Sequence, residues 1–231
     1  MPVNSIDLSK KRFAKADSEI VRCRGLFSTR AEEKNGYAQF DRGLYIDTQD
    51  ARDYSGLGDF SICLWVKKNI LVTGFAMCQT HSLLVYVSDW VIANGSALFW
   101  MRNKVLGKDS DLNDLKWHHL GFVWDKKKEK YKGYFDGDIV GESDAVADYG
   151  GFGSVKIGTR GDAITSFWVG RIAHVKIFLR KLTATDVRNI FHMTSITDGL
   201  GSYYPLSENA QDFSGHGKNG KNHGAVFKGG W

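Results

Sequence analysis

Residues 116–142, KWHHLGFVWDKKKEKYKGYFDGDIVGE, constrain the fold more than any other stretch. An apolar run ends in a lysine-rich turn, a second run follows, and the chain reverses again at Asp136-Gly137. An Asp-Gly pair suits the two-residue hairpin turn, whose central residues need positive φ. The stretch predicts two successive hairpins, and so an antiparallel sheet.

The rest of the chain follows the same pattern. IVRCRGLF is a weak strand; YAQF and GLYIDT come next. In DFSICLWVKK, Phe60, Ile62, Leu64 and Val66 alternate with Ser61, Cys63, Trp65 and Lys67, the period of a half-buried strand. NILVTGFAMC, SLLVYVSD, ALFWMRN, SVKIGT and VGRIAHVKIFL complete the series. One segment has helical spacing: in LTATDVRNIFHM, Thr183 can cap the first turn, Asp186 sits three residues on, and Val187, Ile190 and Phe191 form one apolar face. A helix is expected over Thr183–His192. The 26 Gly suit many tight turns, and 20 Asp against 6 Glu favour turns over helices. Many short strands and a single late helix predict an all-β, two-sheet sandwich. Residues 1–19 read as a polar N-terminal arm and residues 20–231 as a single domain.

The formal charge is +5, with short basic runs at Lys10–Arg12 and Asp125–Lys132. These read as solvated tail and turn charges. A nucleic-acid site would need a continuous basic stripe with stacking aromatics, so no nucleic-acid partner is expected. No run approaches the ~20 apolar residues of a membrane span, so no membrane insertion is expected, and the polar start MPVNSIDLSKK shows no signal peptide. Cys23, Cys63 and Cys78 are an odd count without a C-x-x-C pair, which argues against a disulfide framework or a zinc site. Cys63, within an apolar strand, is expected to be a buried small hydrophobe.

KWHHLGFVWDKKKEKYKGYFDGDIV resembles the central hairpin of laminin-G-like and pentraxin-like domains, with its W-H-H start, basic turn and aromatic-x-D-G end. AQFDRGLYID and DFSICLWVKK resemble two earlier strands of that family, and VGRIAHVKIFLRKLTATDVRNIF its closing strand and short helix. Together these cover about Tyr37 to His192. The resemblance implies one concanavalin A-like jelly roll. YYPLSENAQDFSGHGKNGKNHGAVF, Tyr203 to Phe227, resembles the segment that opens such a domain, yet here it comes last. A circular permutation accounts for this, with Tyr203–Leu206 and Ala225–Phe227 as strands of the same sheets. A severed second repeat, or exchange of the segment between two chains, remains open.

The resemblance also implies candidate sites. Lectins on this fold bind through rim loops with an aromatic platform, an Asp, and an Asn or Arg. Trp90, Asn94, Trp100, Tyr149 and Trp168 lie near predicted strand ends, and Asp162 lies in KIGTRGD beside Arg160. Core packing is the other reading of each aromatic. Pentraxin-like proteins hold calcium through Glu-Gln-Asp near that position, where this chain has only Asp162. QDFSGHGKNG is a better calcium loop: Asp212 would supply a carboxylate and the turn Ser214–Gly217 carbonyls. The other reading is an Asx-turn in which Asp212 caps backbone amides.

Catalysis has little support. The E-x-D-x-E pattern of glucanases on this fold is missing, and the six Glu fall in tails and turns. His118 and His119 are adjacent, so on a strand they point to opposite faces. Nothing local supports Cys63 or Cys78 acting with His81. The expected role is non-catalytic, lectin-like carbohydrate recognition, with possible calcium assistance. The alternatives are a glycan hydrolase or lyase, or a protein-binding or assembly module. Expected partners are a glycan or glycoprotein, a protein ligand or a second copy of the chain. The resemblance favours an extracellular or cell-surface setting.

Overall fold

The computed structural model describes residues 35–52, 58–70, 74–80, 83–87, 97–101, 104–106, 112, 114–144 and 152–230. The polar arm, IVRCRGLF, His81, Trp90, Asn94 and Tyr149 lie outside the described residues.

The strands are β1 (Gly36–Phe40), β2 (Tyr45–Asp47), β3 (Phe60–Lys68), β4 (Gly74–Thr80), β5 (Leu83–Val87), β6 (Ala97–Met101), β7 (Lys104–Leu106), β8 (His118–Asp125), β9 (Lys130–Phe135), β10 (Asp138–Asp144), β11 (Phe152–Ile157), β12 (Gly170–Phe178), β13 (Leu200–Tyr204), β14 (Lys221–His223) and β15 (Val226–Gly229). The helix α1 spans Ala184–Phe191. An eight-stranded sheet runs β10-β9-β8-β3-β12-β1-β15, with β13 also on β12; a seven-stranded sheet runs β14-β2-β11-β4-β5-β6-β7. All strand pairs within the sheets are antiparallel. This is a jelly-roll sandwich.

The double hairpin forms as the sequence predicts. β8, β9 and β10 are consecutive antiparallel neighbours, and the second turn puts Asp136 at φ 49° and Gly137 at φ 86°, the positive pair that an Asp-Gly turn requires. One core fills the space between the sheets. Phe60, Ile62, Leu64 and Val66 of β3 meet Ile46 of β2, Ala76 and Met77 of β4, and Val155 and Ile157 of β11. Full burial of each such apolar side chain contributes roughly 1.5–3 kcal/mol.

β3 departs from the half-buried expectation. Cys63 is buried as expected, but Ser61 on the same outward face is fully buried too, because α1 and the segment before it cover that face. Cys63, Val123, Tyr134, Phe178, Leu182, Val187 and Ile190 form a second, smaller core there. Gly121 lets the layers approach: a Cβ on it would meet Val187 Cγ1 at 3.0 Å and Tyr134 Cβ at 3.1 Å.

The C-terminal stretch contributes to both sheets. β13 pairs with β12 over Val175–Phe178, β15 pairs with β1, and β14 pairs with β2. Tyr204 and Leu206 are fully buried. Val226 is half exposed, because β15 is an edge strand. Gly230 N–H donates to Asn35 O, so the two ends of this unit lie side by side.

Candidate functional site

The outer face of the eight-stranded sheet is covered only in part. Ser61 fixes where the cover begins: its hydroxyl donates to Arg180 O at 2.9 Å and accepts the Leu182 N–H at 2.9 Å. Arg180 then pairs with Asp186 and Asp198 at 3.0 Å each. α1 starts in a capping box, Asp186 N–H donating to Thr183 Oγ1 at 3.1 Å and Thr183 N–H to Asp186 Oδ2 at 2.9 Å. The helix lies with Val187 and Ile190 buried.

Beside the helix start, Lys130 and Lys132 of β9 and Glu142 of β10 remain exposed. With Lys128 and the segment Lys181–Ala184 they line a cleft of about 510 Å³. Val123, Tyr134 and Leu182 make its apolar floor; Lys128, Lys130, Lys132 and Lys181 stand around it with Asp125 and Glu142. The lysine run read as solvated turn charge thus supplies one wall. What the linear sequence hid is the opposite wall, Lys181 and Thr183, which the chain brings back some fifty residues later. Lys130 Nζ lies 3.1 Å and Lys132 Nζ 3.2 Å from Glu142, and Lys181 Nζ lies 2.7 Å from Asp125. Hydrogen bonds from the two lysines hold the Glu142 carboxyl below its ordinary range, and Lys181 does the same for Asp125. Such carboxylates stay ionised and can accept hydrogen bonds, but each already has a cation.

The Asp212 loop is organised differently. Asp212 Oδ1 accepts the N–H of Tyr203 and of Ser214, each at 2.9 Å; Oδ2 accepts the Ser214 hydroxyl at 2.8 Å and the Lys218 N–H at 3.0 Å. Burial opposes ionisation here, but these donors outweigh it and hold the carboxyl below its usual range. A carboxylate offers about four lone-pair sites, so donors fill the group. This is the Asx-turn arrangement. Gly217 takes φ 69° in the same turn. Asp162 accepts the Ile164 N–H at 3.0 Å and pairs with Arg160 at 3.4 Å. Neither place fits a calcium cage: each has one carboxylate, already engaged. Among the described residues, no three His, Cys, Asp or Glu side chains are grouped to hold a metal.

Of the other expected ligand residues, Trp90, Asn94 and Tyr149 lie outside the described residues. Trp168 is 1% exposed and belongs to the core, so it offers no platform. Trp100 lies on β6, opposite Leu84 and Val105. An aromatic pair not anticipated from the sequence lies on the seven-stranded sheet: Tyr45 stacks on His223 at 4.2 Å. Nearby, Asp47 accepts Lys156 and Ser154.

The nucleophile candidates are inert. Burial pushes the Cys63 and Cys78 thiols up to about 12. His118 and His119 do not act together: His119 is fully buried beside Trp65 and Phe191, whereas His118 sits between Asp114 and Asp136.

A laminin-G family model, described as the concanavalin A-like lectin/glucanases superfamily, matches residues 40–188. Neuronal pentraxin-1 of Homo sapiens is 27% identical over 146 residues, covering 57% of this chain and 33% of the relative. The chain therefore spans about a third of that relative's length. Two solved structures share the fold. A Bacteroides ovatus protein, provisionally named carbohydrate binding, superposes with TM-score 0.65 at 16% identity, covering 85% of this chain and 60% of the other. The native heptameric SAP-like pentraxin of Limulus polyphemus superposes with TM-score 0.63 at 13% identity, covering 86% and 97%.

Proposed function

This chain belongs to the concanavalin A-like lectin/glucanases superfamily, and on that premise we propose that it is a non-catalytic recognition module whose ligand is a glycan. The observation that carries the reading is the open cleft on the eight-stranded sheet. Long hydrogen-bonding side chains, Lys128, Lys130, Lys132, Lys181, Asp125 and Glu142, stand around a floor of Val123, Tyr134 and Leu182. A sugar ring presents hydroxyls at its edge, which these side chains can hydrogen-bond, and C–H groups on its faces, which the aliphatic stems of the lysines can cover. The Bacteroides ovatus neighbour's name points the same way, although fold alone is a weak warrant for function.

Retaining hydrolysis needs a nucleophilic carboxylate and a second, protonated carboxyl about 5 Å away. In the cleft, Glu142 and Asp125 are each paired to lysine and each held below the ordinary carboxyl range. Neither suits a general acid, which needs a raised pKa. The module therefore holds its ligand and releases it unchanged. Calcium is not part of the proposed mechanism, and self-association, as in the heptameric Limulus pentraxin, is not required by it.

A glycan array run with and without calcium tests the reading. The expected result is saturable binding to a defined glycan class, equal in both conditions, with the bound glycan recovered intact. Binding to no glycan, or cleavage of the bound one, would overturn it.

A further inference from the structure

We infer that the cleft is built for an acidic saccharide, and that Glu142 occupies the seat of the ligand's acid group; this rests on the glycan-recognition reading above. Glu142 Oε1 faces Lys130 Nζ at 3.1 Å and Oε2 faces Lys132 Nζ at 3.2 Å. Lys130 and Lys132 are two residues apart on β9, so they share a face at about 6.8 Å spacing along the strand. One carboxylate thus spans two ammonium groups. A sulfate or carboxylate on a saccharide would make the same pair of contacts.

The seat is open. The side chains of Lys130, Lys132 and Glu142 are 41%, 42% and 36% exposed, so an incoming anion reaches the lysines without unfolding anything. Exposed ion pairs of this kind contribute little to stability, which leaves the constellation without a large structural purpose. The lining carries four lysines against Asp125 and Glu142, with Asp144 beside them at 3.5 Å from Lys130 Nζ. Lys128 makes no ion pair among the described residues. A second acid group of an extended chain would find it, while Lys181 lines the opposite wall.

A saccharide fits better than a nucleic acid. Single-stranded nucleic acids bind through aromatic faces on which bases stack. Among the described residues the cleft's sole ring is Tyr134, 3% exposed, which leaves no face for a base. The aliphatic stems of Lys130 and Lys132, which are exposed, can still touch the C–H face of a sugar.

Because Glu142 competes for the seat, removing its charge strengthens ligand binding while removing the lysines weakens it. The test is titration calorimetry of the full chain with a sulfated dextran oligosaccharide, with the same oligosaccharide unsulfated, and with a single-stranded oligonucleotide, at low and high sodium chloride. The sulfated form is expected to bind about tenfold or more tighter than the unsulfated one, and to weaken with salt. Lys130→Ala with Lys132→Ala loses about tenfold, and Glu142→Gln gains several-fold. Thermal melts of both variants should match wild type. Equal binding of sulfated and unsulfated forms would overturn the inference and leave glycan recognition standing, as would a Glu142→Gln variant that weakens with the lysine variants. Tighter binding of the oligonucleotide would assign the cleft to nucleic acid. If no glycan binds, on the array or here, the parent reading fails with it.

Discussion

His118 and His119 are consecutive on β8, yet the structure drives their protonation in opposite directions. Burial, with a smaller push from Lys176 and against the pull of Asp136, drives His119 down to about 3, and neither ring nitrogen has a hydrogen-bond partner among the described residues. Burial also opposes the charge on His118, but its contacts with Asp136 at 2.7 Å and Asp114 at 3.0 Å outweigh that and raise it. His118 stacks on Phe135 at 4.6 Å, while His119 lies beneath Phe191 of α1.

The pair predicts a stability maximum near the ordinary histidine pKa of about 6.5. His118 is raised, so its contribution is full below about 6.5 and is lost as pH rises through the folded value. His119 is lowered, so the unfolded chain binds the extra proton and stability falls as pH drops below about 6.5. Urea unfolding across pH checks both arms. His118→Asn should flatten the alkaline arm, and His119→Phe the acid arm. Unchanged arms in either variant would show that the dependence arises elsewhere.

Asp212 is predicted to be structural. Asp212→Ala removes four accepted hydrogen bonds and frees the edge of β13. Hydrogen bonds to charged groups are worth about 1.5–3 kcal/mol each in net terms, and partial exposure discounts the sum. The expected loss is about 2–3 kcal/mol by urea unfolding. The Asp212 carboxyl is held low, so its contribution is present above the unfolded value of about 3.9 and disappears as pH falls through the folded one. Calcium should leave the wild-type melting temperature unchanged. A calcium-induced rise that Asp212→Ala abolishes would restore the metal reading.

The C-terminal strands are predicted to be indispensable. A chain ending at Asp198 loses β13, β14 and β15, and with them the buried Tyr203, Tyr204, Leu206, Ala210 and Ala225. At roughly 1.5–3 kcal/mol for each large apolar side chain, this approaches the ~5–15 kcal/mol stability of a domain. That chain should show no cooperative melt. Because Gly230 bonds Asn35, a permuted chain beginning at Gly199, joined from Gly230 to Asn35 through a short hairpin loop, should fold. A truncated chain that melts near the wild-type temperature would show the stretch to be dispensable.

Local periodicity made most of this fold legible. Strand β3 and the Asp136-Gly137 turn depend on neighbours in sequence, as does the Thr183–Asp186 cap, and all three are present. Burial of Cys63 was legible from its place in an apolar strand, but that of Ser61 was not, since the covering segment arrives more than a hundred residues later. The cleft was missed for the same reason: Lys130 and Lys132 read as turn charge until Lys181 closes the opposite wall. Asp212 could be read as a metal ligand or a cap, and only the direction of the surrounding N–H groups separates the two. Trp168 sits near a strand end, but proximity to a rim does not expose a ring.

Amide chemical-shift perturbation with the best glycan from the array tests the central claim most directly. If the cleft is the recognition site, the shifts will centre on Val123–Tyr134, Glu142 and Lys181–Ala184. Shifts centred instead on Tyr45, Asp47, Lys156 and His223, across the seven-stranded sheet, would contradict it.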